Sequence, residues 1–154
     1  VPVERIAKAL GAEIRMSPLD DELSGMIFVR DNKPVIGVNA LHHPNRQRFT
    51  IAHEIGHLEM HRALIEAQVH VDKTFPRLPS LNRDGQSATG NNEIEIQANQ
   101  FAAELLIPER ELMKMIGNQT IDIDDDEPIE ELARRFKVSK KAMEFRILRV
   151  ANRS

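Results

Sequence analysis

The chain has no cysteine, no tyrosine and no tryptophan. Without cysteine there is neither a disulfide framework nor a thiol nucleophile. Without tyrosine, a phenol donor to a developing oxyanion is excluded, and the expected donor is a histidine, an arginine or a backbone amide, or there is none. No apolar run approaches the roughly 18 residues of a membrane span. The first residues carry no signal-peptide pattern, so the expected location is the cytoplasm. A strong charge of one sign is missing too: the net charge of −3 and a pI near 6.1 exert no global pull toward nucleic acid. At 154 residues the chain suits one domain with a real core and a small appendage.

What is present is concentrated in residues 53–57, which read His-Glu-Ile-Gly-His. On a helix, positions four apart differ by about 40° in rotation, one turn along the same face. His53 and His57 can therefore aim two imidazole nitrogens at one divalent ion, and neutral imidazoles suit zinc. Glu54 lies about 100° around from His53. It reaches the edge of such a site without joining the ligand face, where a general base for a metal-activated water belongs. A chance HExxH in this composition has a frequency of about 2%, and the context argues further against chance. Apolar residues at 49, 52, 55 and 58 predict an amphipathic helix with one buried side, starting at Pro44 or Asn45 and running to about Ala67.

A catalytic zinc takes three protein ligands and keeps one open position. Asn92 to Pro108 reads as a second helix, with Ile94, Ala98, Phe101, Ala102 and Leu105 on one side and Pro108 ending it. Glu95 is the best candidate for the third ligand. Asn99, four residues on, can face the same way and hold a ligand histidine by hydrogen bonding to its ring. Glu93 is a rival, but two residues away it points to another face. His61 is a second rival; eight residues from His53 it has turned by about 80° and moved about 12 Å along the axis, too far to share the ion, so it is expected to be partly exposed or to touch a ligand rather than the ion.

The two helical runs, Asn45-Arg-Gln-Arg-Phe-Thr-Ile-Ala-His-Glu-Ile-Gly-His57 and Glu95-Ile-Gln-Ala-Asn-Gln-Phe-Ala-Ala-Glu-Leu-Leu-Ile-Pro108, resemble those of the ImmA/IrrE metallopeptidases. Ser24 to Arg30 and Pro34 to Asn39 match the β-rich stretch that precedes the metal helix there, and the resemblance covers about residues 3 to 150. It implies an intracellular bacterial or phage zinc endopeptidase with a gluzincin-like core, whose relatives cut helix-turn-helix repressors and so derepress their targets. By matching motifs it makes His53, His57 and Glu95 the ligands and Glu54 the base. The family often carries Glu where this chain has Gln97, which is not a ligand position and is given little weight.

The rest of the chain is legible in outline. Val3 to Leu10 is a short helix closed by Gly11, and Ala12 to Met16 a candidate strand. Met26 to Val29 and Val35 to Val38 are strands joined across Asp31-Asn-Lys33. Residues 68–92 lack periodicity and read as a long loop, either a lid on the cleft or a solvated excursion. Glu109 to Ile116 is a helix. Asp122 to Asp126 alternates carboxylates, but Glu127 stands at the sixth position and Ala133 at the twelfth, so an EF-hand fails. Ile129 to Phe136 and a Ser139-capped helix to about Ala151 form a hairpin of helix-turn-helix appearance.

The expected fold is thus α+β. A zincin-like core, 1–116, has a small sheet or hairpin packed on the HExxH helix, and a C-terminal helical subdomain follows over 117–154. The expected function is zinc-dependent peptide-bond hydrolysis, with a helix-turn-helix repressor as substrate and manganese left open as the ion. His42, His43, His70, Arg77 and Arg83 are the candidate oxyanion donors. The alternative is a non-catalytic, zinc-containing regulator that binds DNA or a partner protein through the tail. Residues 132–153 hold eight Lys or Arg against one Glu, but residues 109–131 hold nine acidic side chains against two basic ones. DNA binding is therefore not expected, because a charge run alone is weak evidence for it.

Overall fold

A computed structural model describes residues 1–63, 89–117 and 126–152. Helix α1 (Val3–Ala9) buries Val3 and Ala7, four apart on one face, and Gly11 just after it takes a left-handed φ of 86°. Three strands follow: β1 (Glu13–Ser17), β2 (Gly25–Arg30) and β3 (Lys33–Asn39). Asp31 and Asn32 both have positive φ, 53° and 64°, the backbone of a two-residue turn whose twist matches its strands. It sets the antiparallel register Arg30↔Lys33 to Gly25↔Val38.

β3 is the central strand, because β1 pairs with its other edge in parallel from Glu13↔Val35 to Ser17↔Asn39. Pro34 is tolerated there because that pairing starts one residue later, so no β1 acceptor goes without its donor. At the end of β3 the buried Asn39 amide holds the loop before β2, donating to Leu23 O at 2.8 Å and Asp20 O at 3.1 Å. His42 is part of this arrangement, its Nε2 2.8 Å from Asp21 O.

Helix α2 (Pro44–Met60) is capped by His43, whose Nδ1 accepts from the Asn45 amide at 3.0 Å. Its burial is wider than the expected single stripe: Thr50, Ile51, Ala52, Glu54, Ile55, Gly56, His57 and Leu58 are all buried, and Phe49 only partly. The reason is that α2 lies between the sheet and another helix, so two faces are covered. The sheet side comes so close that a Cβ at Gly25 would run into the Gly37 carbonyl and the Thr50 side chain. α2 also stops at Met60, short of Ala67, where His61 leaves the helical region at φ −128°.

Helix α3 (Thr89–Leu106) covers the other face of α2 and starts earlier than the sequence reading placed it. The remainder of the expected loop, 68–88, lies outside the described residues, as do 118–125 with most of the acidic alternation. Gly56 is where the two helices meet; a Cβ there would stand 3.1 Å from Phe101 Cδ1. Helix α4 (Glu109–Ile116) has the expected bounds.

Helices α5 (Asp126–Phe136) and α6 (Lys140–Asn152) form the tail hairpin, turning at Lys137 with φ 57°. The Ser139 hydroxyl accepts from the Ala142 amide at 3.1 Å. Leu132, Val138, Met143 and Ile147 are buried, Lys141 is exposed, and Lys140 and Arg149 are partly exposed, the Arg149 guanidinium 5.7 Å from the Phe145 ring centre. One apolar cluster runs from Val3 and Ala7 through Ile36, Ile55, Leu106 and Leu112 to Ile129, Met143 and Ile147. Arg146 of α6 adds a buried hydrogen bond to Ile107 O at 2.9 Å. The architecture is α+β.

Candidate metal centre

The seam between α2 and α3 brings together side chains 42 residues apart in sequence. His53 Nε2 and His57 Nε2 face each other at 3.1 Å. Glu95 reaches in from α3, with Oε2 3.0 Å from His53 Nε2 and Oε1 2.8 Å from His57 Nε2. These donor atoms all lie within 4.8 Å of one another, the one such group of His, Cys, Asp or Glu among the described residues. The small residue at Gly56, inside the motif itself, lets the helices approach closely enough for a glutamate from one to reach both imidazoles of the other.

The surroundings fit a cation. Donors around a tetrahedral ion at about 2.1 Å stand about 3.4 Å apart, so an opening of a few tenths of an ångström accommodates one. His53 Nδ1 donates to Asn99 Oδ1 at 2.8 Å, which leaves Nε2 to face the site. Asn99 thus stands where the second helix was expected to present it. Glu93 is exposed and outside the group. His61 is outside it too, but its Nδ1 lies 3.0 Å from His57 Nδ1, and its Nε2 2.8 Å from Gln97 Oε1.

The contact between Gln97 and His61 is one that the sequence did not announce. A helical wheel sets Gln97 about 200° from Glu95 and off the shared face. The reach of the side chain and the departure of His61 from α2 bring the two together. Of the candidate oxyanion donors, His43 caps α2 and His42 is bound into the loop before β2. His70, Arg77 and Arg83 lie outside the described residues.

The electrostatics of the cluster separate its carboxylates. Burial alone would raise Glu95, but hydrogen bonds from His53 and His57, with their charge, outweigh it and bring the carboxyl down to about 2. Burial alone would lower His53, yet the Glu95 hydrogen bond and the nearby Glu54 and Glu95 charges leave it raised. Glu54, 6% exposed, is raised because burial outweighs the help of His53 and His57. Two carboxylates on adjoining helices are thus pushed in opposite directions, one toward a permanent anion and one toward a group that can take up a proton.

No curated protein matches the chain. Among solved structures, a Mycobacterium tuberculosis transcriptional regulator is similar in fold, with a TM-score of 0.57 and 23% identity over 92% of this chain. The chain spans 37% of the length of that structure. No described helix is long and apolar enough to cross a membrane. The family model of the IrrE N-terminal-like domain matches residues 7–148, almost the whole chain, and the chain belongs to that metallopeptidase family, Peptidase_M78.

Proposed function

We propose that the chain is a zinc-dependent endopeptidase working in the cytoplasm, with a helix-turn-helix transcriptional repressor as its substrate. The observation that carries this reading is the convergence of His53, His57 and Glu95 from two helices, with buried Glu54 beside them. His53 Nε2, His57 Nε2 and a Glu95 oxygen would hold the ion. Zinc, when bound, supplies a Lewis acid that polarises a carbonyl and makes water acidic at neutral pH. A purely structural site would close with a fourth protein ligand and would have no use for Glu54.

The protein's own contribution is orientation and proton transfer. Asn99 fixes the His53 ring, and Glu95, kept ionised, supplies the negative charge that balances a cation. Glu54 is the general base: it takes a proton from the attacking water and delivers it to the leaving amide nitrogen. Its elevated proton affinity suits that exchange better than an ordinary carboxylate would. The repressor as substrate rests on the family resemblance.

For the tail we propose a packing role rather than duplex recognition. Lys140 is engaged by Asp126 at 2.7 Å, and Arg146 is buried. The test is to incubate the zinc-loaded protein with the repressor encoded beside its gene, with and without a chelator, and to weigh the products. Chelator-sensitive fragments of the repressor are expected. An intact repressor in both arms, together with sequence-selective duplex binding, would turn the reading toward a non-catalytic regulator.

A further inference from the structure

Gln97, His61 and His57 form a chain of hydrogen bonds that ends at the metal site. Gln97 Oε1 stands 2.8 Å from His61 Nε2, and His61 Nδ1 stands 3.0 Å from His57 Nδ1. A neutral imidazole carries one N–H and one lone pair, so a chain through two such rings has only two self-consistent directions. If the Gln97 carbonyl accepts, His61 carries its proton on Nε2 and accepts on Nδ1. His57 then carries its proton on Nδ1 and turns a lone pair on Nε2 toward the site.

If the amide is turned over, its N–H₂ donates to His61 Nε2. His61 Nδ1–H then donates to His57 Nδ1, and the His57 proton moves to Nε2. There it hydrogen-bonds Glu95 Oε1, 2.8 Å away, in the place a cation would take. The same heavy atoms therefore support a state that receives an ion and a state that excludes one. The side-chain amide at 97 is the one group of the three that can change direction by rotating.

We propose that Gln97 and His61 are positioning residues: the Gln97 carbonyl sets the direction of the chain and so presents the His57 Nε2 lone pair to the ion. The inference rests on the zinc reading of His53, His57 and Glu95. It gives Gln97 a role that its exposed position and its distance from the ligand face conceal.

The test uses the zinc ion itself, titrated against a competing chelator, with folding of each variant checked by circular dichroism. His61→Ala is expected to weaken zinc binding about 10- to 100-fold, the usual consequence of losing a ligand histidine's partner. Gln97→Leu, which offers no acceptor, is expected to weaken it by about tenfold. Gln97→Glu, an acceptor only, should bind at least as tightly as the wild type. Gln97→Lys, a donor only, should bind more weakly than Gln97→Leu.

Because Glu and Lys also change charge, the deciding measurement repeats the Gln97 series in a His61→Ala background. A relay predicts that the differences collapse there, whereas a through-space charge effect persists unchanged. Ring ¹⁵N shifts of the zinc-loaded wild type should place the His61 proton on Nε2. Normal zinc uptake with additive Gln97 and His61 effects, or a His61 proton on Nδ1, would overturn the relay alone. A wild-type protein that takes up no zinc would overturn the metal reading and the relay together.

Discussion

Along α2, the buried positions include Glu54 and His57 beside Ile51, Ala52, Ile55 and Leu58. Along α5 and α6 they are Ile129, Leu132, Ala133, Met143 and Ile147, while Glu131, Arg135 and Lys141 face water. Among the described residues the tail has one buried charge, Arg146, and it is tied to a backbone carbonyl. The first region buries polar groups, and its two histidines meet Glu95 and Asn99 of the other helix. The second buries apolar groups and leaves most of its charges in solvent. Burial of ionisable groups costs free energy unless they are paired. The α2–α3 seam therefore spends stability on a site, and the hairpin supplies stability to the shared core.

The sharpest way to break this contrast is at Glu54. Glu54→Gln keeps the shape and removes the base, so peptide cleavage should fall by about 10²- to 10⁴-fold while zinc content stays the same. His53→Ala should lose both. Product masses and metal analysis of the two variants check this, and wild-type proteolysis by Glu54→Gln would remove the base assignment.

Next come the two packing interfaces. Met143→Ala in the tail should destabilise the fold by about 2–5 kcal/mol, as large-to-small core changes do, with little change in zinc affinity once folded. Gly56→Val should destabilise by about 1–3 kcal/mol through overpacking against Phe101. It should also weaken zinc binding, because it separates Glu95 from the histidines. Denaturant melts and chelator competition on both variants make the comparison. Equal zinc loss from both would mean that the seam and the tail are not distinct in role.

The pH response of the metal-free protein is a smaller effect, and its sign follows from the paired shifts. His53 is raised above its ordinary 6.5, so its contribution is fully present below that value and is lost as pH rises through the elevated one. Glu95 is lowered from 4.5 to about 2, so its contribution is present above 4.5 and is lost as pH falls toward 2. Between those limits, from about 4.5 to 6.5, the pair contributes most. Thermal melts in chelator should show that window, and zinc should narrow the loss on the alkaline side because it replaces the His53 proton. A stability of the metal-free protein that rises steadily from pH 5 to 8 would contradict the pairing.

The smallest effect is expected at Lys140. Its partners Asp126 and Glu144 are on the surface, and exposed ion pairs contribute little. Lys140→Ala should leave cleavage and zinc binding unchanged, and wild-type protein should show no duplex binding near physiological salt. A sequence-selective complex that Lys140→Ala weakens in a titration would give the tail a recognition role instead.

The sequence by itself determined the local features. The Asp31-Asn32 turn, the bounds of α4, the Ser139 cap and the spacing of His53 and His57 depend on residues a few positions apart, whose backbone preferences and periodicities are readable directly. Glu95 and Asn99 were legible for the same reason, since a second periodic helix carried them four apart. Tertiary structure decided what depends on two distant segments meeting. The parallel pairing of β1 with β3, from Glu13↔Val35, joins segments that a loop and the whole of β2 separate, and nothing local to either carries that register. The burial of α2 on two faces, with Glu54 inside, follows from the sheet at Gly25 and Thr50 and from α3 at Gly56. The place of Gln97 could not be read from a helical wheel, because its partner His61 lies just past the end of α2, where helical periodicity no longer says which way a side chain points.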